Sequence, residues 1–193
     1  LSGLLIIAAS PNTSYAQTEP STDMVDVSSY QSSLTAVDFQ TLKDSGVKAV
    51  TIKATEGTSY VNPYLAQEAQ YAQQAGLSVN FYAYVHFTSE AEAQAEAQTF
   101  ADAVKNITSS TDGVMVADFE SSELASLSKE QNNADLAAFD QTLNQNGFSK
   151  TDLYTMGSWL NTKIDTNSSN QGWIANYPYY PSGNLYPSAN AWQ

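Results

Sequence analysis

Asp118 and Glu120 stand two residues apart, directly after the apolar run Val114-Met115-Val116-Ala117. In an extended strand such residues share a face, so both carboxyls can lean into one cavity at the strand's carboxyl end. Two carboxyls this close raise each other's pKa, which leaves one protonated as a general acid while the other is ionised. The same spacing is common at solvated strand ends, so it carries chemistry only with support from elsewhere in the chain. Two further strand ends supply it. Met24-Val25-Asp26-Val27-Ser28 places Asp26 inside an apolar run, and Thr51-Ile52-Lys53-Ala54-Thr55-Glu56-Gly57 brings Glu56 to the end of another. Aromatic residues mark later ends: Tyr82, Tyr84, Tyr154, Trp159, Trp173 and Tyr177. The plainer readings are Asp26 as a cap, Glu56 as a turn residue and the aromatics as core. Acids rimmed by tyrosine and tryptophan nevertheless suit a sugar, whose C–H faces stack on aromatic rings.

Composition narrows the chemistry further. With 20 acidic against 7 basic side chains the net charge is −13, which disfavours nucleic acid and anionic membrane surfaces as partners. Cysteine is absent, which removes thiolate nucleophiles, thiolate metal sites and disulfides. His86 is the only histidine, so a metal site needing two imidazoles is excluded and a serine triad has one place to form. No metal and no organic cofactor are expected, and a monomer is expected.

The elements that must position these residues alternate. Strand-like runs cover 24–27, 49–52, 77–84, 113–118, 152–156 and 172–175. Helical patterns over 35–45, 63–75 and 130–146 each end at a glycine, Gly46, Gly76 and Gly147. A helix from Glu90 to about Lys105 opens on Ser89 with Glu92 three residues on, the pattern of a capping box. Repeated strand and helix, with strands apolar on both faces, predicts a parallel sheet covered by helices, as an α/β barrel or a doubly wound sheet. Residues 177–188, with three prolines and four tyrosines, read as a long aromatic loop.

The start of the chain reads differently. Leu4 to Ala9 is apolar, and Ser14-Tyr15-Ala16 places small residues where a signal peptidase cuts. Residues 1–16 are therefore expected to be the remnant of a secretory signal peptide and 17–23 a polar leader. An apolar run this short does not span a bilayer, so no stable membrane insertion is expected.

In this order, "VDVSSYQ", "VKAVTIKATEGTSYVNP", "GVMVADFE", "LYTMGSW", "WIANY" and the closing "AWQ" resemble the lysozymes of glycoside hydrolase family 25, the Chalaropsis-type muramidases. The resemblance covers most of 24–193 and implies a flattened (β/α) TIM-like barrel. It implies hydrolysis of the β-1,4 bond between N-acetylmuramic acid and N-acetylglucosamine in the glycan strands of bacterial peptidoglycan. Glu120 matches the general acid, and Asp26 and Asp118 match its supporting acids. Tyr82, Tyr154, Trp173 and Tyr177 resemble the sugar-contacting aromatics, and Glu56 joins them as a substrate-binding residue. A secreted, wall-associated enzyme is the expectation. Two departures follow. Ala83 stands where the family carries a histidine, with His86 three residues on as a surface or loop residue. Family members also continue past the closing Trp-Gln into a strand with another aspartate, whereas this chain stops at Gln193, so a barrel lacking its last strand is expected. The alternatives are a glycan-binding pseudoenzyme and a chitinase-like hydrolase, although the latter's D-x-x-D-x-D-x-E series is reduced here to D-x-E.

Overall fold

The computed structural model describes residues 22–179 and 185–193. The segment read as a signal remnant, most of the leader and the middle of the aromatic loop lie outside the described residues. In chain order the strands are β1 (Met24–Val27), β2 (Ala49–Glu56), β3 (Tyr60–Val61), β4 (Ser78–Tyr84), β5 (Met115–Asp118), β6 (Thr151–Met156), β7 (Trp173–Ala175) and β8 (Ala191–Trp192). Their order in space is β1-β2-β4-β5-β6-β7-β8, with every neighbouring pair parallel. The short β3 folds back antiparallel on the end of β2. The sheet curls into an open barrel: among the described residues no backbone ladder joins β1 to β8. At the mouth the two edges are linked by a side chain instead, since the Gln193 amide donates to Asp26 Oδ2 over 3.2 Å.

Helices α1 (Ala36–Asp44), α2 (Leu65–Gln74), α3 (Glu90–Lys105), α4 (Ser122–Ala125) and α5 (Lys129–Gln145) complete the fold. At the end of α1, Gly46 adopts φ +101°, Val47 N–H reaches Leu42 C=O and Gly46 N–H reaches Lys43 C=O. That left-handed turn satisfies carbonyls the helix leaves open, and glycine adopts it without steric cost. Gly147 repeats the device after α5, with φ +96°. The start of α3 departs from the expected capping box. Ser89 Oγ accepts from Glu92 N–H, but the Glu92 carboxylate turns to the N–H and hydroxyl of Thr88, one residue earlier, at 2.7 and 2.8 Å.

The core lies between the sheet's outer face and the helices. Ala93, Ala97, Phe100, Ala101 and Val104 recur at helical spacing on the buried face of α3, and the alanines let it approach α5 and β2 closely. Phe87, Phe119, Phe139 and Phe100 form an aromatic chain with centroids 5.6 to 6.2 Å apart. All four are shut off from solvent.

Candidate active site

Strand pairing sets one row across the barrel mouth. Glu56 pairs with Tyr84, Tyr84 with Asp118, Asp118 with Tyr154 and Tyr154 with Trp173, which aligns residues of β2, β4, β5, β6 and β7. Phe119 fixes which way this row points. Its ring is fully buried in the outer core, its N–H donates to Tyr154 C=O and its C=O accepts from the Thr155 hydroxyl. Alternation then turns Asp118 and Glu120, on either side of it, away from that core and toward the barrel's mouth. Ser121 is buried as well, so Glu120 stands between two anchored neighbours.

A register shift between Lys53 and Thr55 alters the end of β2. In a regular strand, residues 53 and 56 would face opposite ways; the extra residue of a bulge returns them to one face. Lys53 Nζ accordingly lies 2.5 Å from Glu56 Oε2 and beside the Tyr84 and Tyr60 rings, at 5.3 and 5.5 Å from their centroids.

Asp118 and Glu120 differ in depth. Asp118 Oδ1 is closed off from solvent and lacks a hydrogen-bond partner. Burial pushes the Asp118 carboxyl well above the usual carboxylate range; Glu120, Asp26 and Glu56 add to the rise, and Lys53 opposes it. Glu120 is half-buried, and burial raises its carboxyl too. Asp26 is open to solvent, yet the surrounding walls partly desolvate it and push it up, against the hydrogen bond from Gln193. Glu56 goes the other way, held below its ordinary value by Lys53, with help from His86. The four acids therefore divide into three that favour their protons and one that stays ionised.

The aromatic rim fits this division. Burial, then the charges of Asp118 and Asp26, hold the Tyr82 hydroxyl far above its ordinary value, with the Ser28 hydroxyl opposing. Tyr154 is pushed up by burial, by a hydrogen bond with Tyr177 and by the Glu120 charge. Both hydroxyls thus stay as neutral donors beside the acids. Trp173 is buried and stands edge-on to Tyr154 with centroids 4.8 Å apart, whereas Tyr177 is 72% exposed and free to stack on a sugar face.

The eight residues given site roles in the sequence thus come together at one end of the barrel, with Asp26 and Tyr177 outermost; of the other two aromatics at strand ends, Tyr84 joins the row and Trp159 packs against the core, edge-on to Phe119. Ala83 is buried in the core. His86, expected as a surface or loop residue, does lie on a loop, but between two carboxylates: Nε2 is 3.3 Å from Glu56 Oε1 and Nδ1 is 3.4 Å from Glu123 Oε1. Sequence reasoning assigned Lys53 no role, Tyr84 only that of an aromatic at a strand end, and Glu123 none. A lysine inside the apolar run of β2 was the available signal for the first. The other two owe their place to strand register and to a helix of four residues.

Comparison with known proteins agrees with this arrangement. Residues 25–193 match the family described as Glycosyl hydrolases family 25. The autolytic lysozyme of Clostridium acetobutylicum is 44% identical over 71 residues, which are 35% of this chain and 21% of that protein; the match thus spans about a fifth of that relative's length. The lysozyme of Streptomyces coelicolor superposes with a TM-score of 0.68 at 22% identity, over 86% of this chain and 79% of that one. The Cpl-1 endolysin, solved with a peptidoglycan analogue, gives a TM-score of 0.62 at 27% identity, over 80% of this chain and 44% of that one. The match of nearly the whole described chain to one family, on a curled parallel sheet with acids at its carboxyl end, makes this protein a member of glycosyl hydrolase family 25.

Proposed function

We propose that the chain is a muramidase that hydrolyses the β-1,4 bond between N-acetylmuramic acid and N-acetylglucosamine in bacterial peptidoglycan. The observation that carries the reading is the pairing of a deeply set acid, Asp118, with a more accessible one, Glu120, both held above the usual carboxylate range. A general acid must reach the glycosidic oxygen and still carry its proton near neutral pH. Glu120 is half-exposed at the mouth, burial strengthens its hold on its proton, and it protonates the leaving oxygen. Asp118, whose proton is held by burial and then by the neighbouring acids, is relieved when positive charge develops on the sugar ring. Its ionised form is then favoured, so its contribution grows toward the transition state. Tyr82 and Tyr154 donate hydrogen bonds to the sugar, and Trp173 and Tyr177 supply the apolar wall. Because peptidoglycan lies outside the cell membrane, the action is extracellular and wall-associated.

Labelling the new reducing ends released from purified peptidoglycan tests the reading. The expected product carries N-acetylmuramic acid at its reducing terminus, with chitin oligomers left intact. Reducing ends of N-acetylglucosamine, or faster cleavage of chitin oligomers, would contradict it.

A further inference from the structure

His86 lies on the loop from β4 to α3, and each of its ring nitrogens faces a carboxylate oxygen, Glu56 Oε1 on one side and Glu123 Oε1 on the other. A neutral imidazole has one N–H and one lone pair, so it donates to one carboxylate and turns a lone pair toward the other. Only the imidazolium donates on both sides. The ring is set up for this position. Its edge contacts Tyr84, with centroids 5.1 Å apart, and its own backbone N–H is held by the Glu96 carboxylate at 3.1 and 3.3 Å. Glu56 is the last residue of β2, while Glu123 lies in α4, three residues after Glu120.

We propose that His86 is a clasp that ties the end of β2 to the start of α4 and thereby positions Glu120 for proton donation. The inference rests on the muramidase reading, and His86 is a positioning residue that touches no reacting atom. Titratable and charged groups surround the ring on every packed element. They are Glu56 and, behind it, Lys53 from β2; Tyr84 from β4; Glu96 and, beyond it, Glu92 from α3; and Glu123 from α4. Among these, Glu56 and Glu123 face the two ring nitrogens and Glu96 accepts from the backbone N–H of His86. Without the ring, or without the carboxylate on either side of it, one side of the clasp opens and the segment that carries Glu120 is held from one side fewer. The loss falls on kcat more than on KM, because it disturbs the donor's alignment and leaves the aromatic wall in place.

The test is a double-mutant cycle: kcat and KM on a soluble peptidoglycan fragment, and the melting temperature, are measured for the unmodified chain, His86→Gln, Glu123→Gln and the variant carrying both changes. In His86→Gln, kcat is expected to fall about five- to tenfold while KM changes by less than about twofold. Because the ring acts through Glu123, the double variant is expected to lose no more than His86→Gln alone, in turnover and in melting temperature. Additive losses of melting temperature in the double variant would overturn the clasp whatever the activity. Coupled melting temperatures with an unchanged kcat in His86→Gln would overturn the positioning role and leave the muramidase reading standing. Absence of turnover in the unmodified chain would overturn that reading together with the positioning role, and the melting temperatures would still decide the clasp.

Discussion

Depth separates Asp118 from Glu120 although they are two residues apart, and depth sets the consequences of replacing them. Asp118 binds its proton more tightly in the folded chain than in the unfolded one. Its contribution to stability is therefore fullest below the ordinary carboxylate range and is lost as pH rises toward its folded value. Asp118→Asn removes that loss. The melting temperature of the variant, relative to the unmodified chain, is expected to rise with pH and to lead by about 2 °C or more above neutrality. Turnover is expected to fall by about a hundredfold or more, because the ionised form no longer meets the positive sugar ring. Thermal melts over a pH series, paired with initial rates, check both halves. The Asp-x-Glu pair was legible in the sequence because a two-residue period survives in any strand. The Lys53–Glu56 pair was not, since the bulge that turns them to one face arises from the pairing of β2 with β4.

The aromatic wedge behind β5 and the buried acid of α3 dominate at the level of elements. Phe119 fills the core and sets the direction of its two acidic neighbours, so Phe119→Ala is expected to cost about 3 to 5 kcal/mol, read as a lower denaturant midpoint. Glu96 is buried on α3, and burial raises its carboxyl to about 7. A carboxyl raised in the folded state destabilises it as pH rises from the unfolded value toward the folded one, here the window from 4.5 to about 7. Glu96→Gln keeps an acceptor for the His86 N–H and removes this titration. Its melting temperature should vary less across that window and exceed that of the unmodified chain by about 2 °C at the alkaline end; a parallel pH dependence of the two proteins would refute the assignment. Long elements were readable in advance, since four helices repeat an apolar face over nine residues or more and three of them end on a left-handed glycine. The strands β3 and β8 and the helix α4 were not, because two to four residues are too few to display a period.

Taken as a whole, the molecule is an acidic, curled sheet whose edges meet only at the mouth among the described residues. The alternation of strand and helix pointed to a parallel sheet, and the motif series, by resemblance, to a barrel. The link between Gln193 and Asp26 was hidden, because it joins residues 167 apart through a single side chain. With a net charge of −13, the protein is repelled by anionic wall polymers over a distance that grows as salt is removed. Binding to walls rich in teichoic acid is thus expected to weaken by about tenfold between 0.15 M and 0.01 M salt, while binding to walls stripped of those polymers changes little. Sedimentation of the protein with each kind of wall measures the difference.

The central claim is that Glu120 delivers a proton to a glycosidic bond. Its most direct test is cell-wall clearing by the unmodified chain and by Glu120→Gln at equal concentration, with wall binding of each measured in parallel. The account predicts clearing by the unmodified chain, and for Glu120→Gln a rate lower by about a hundredfold or more with wall binding preserved. Clearing by Glu120→Gln at an undiminished rate, or wall binding by the unmodified chain without any clearing, would contradict it.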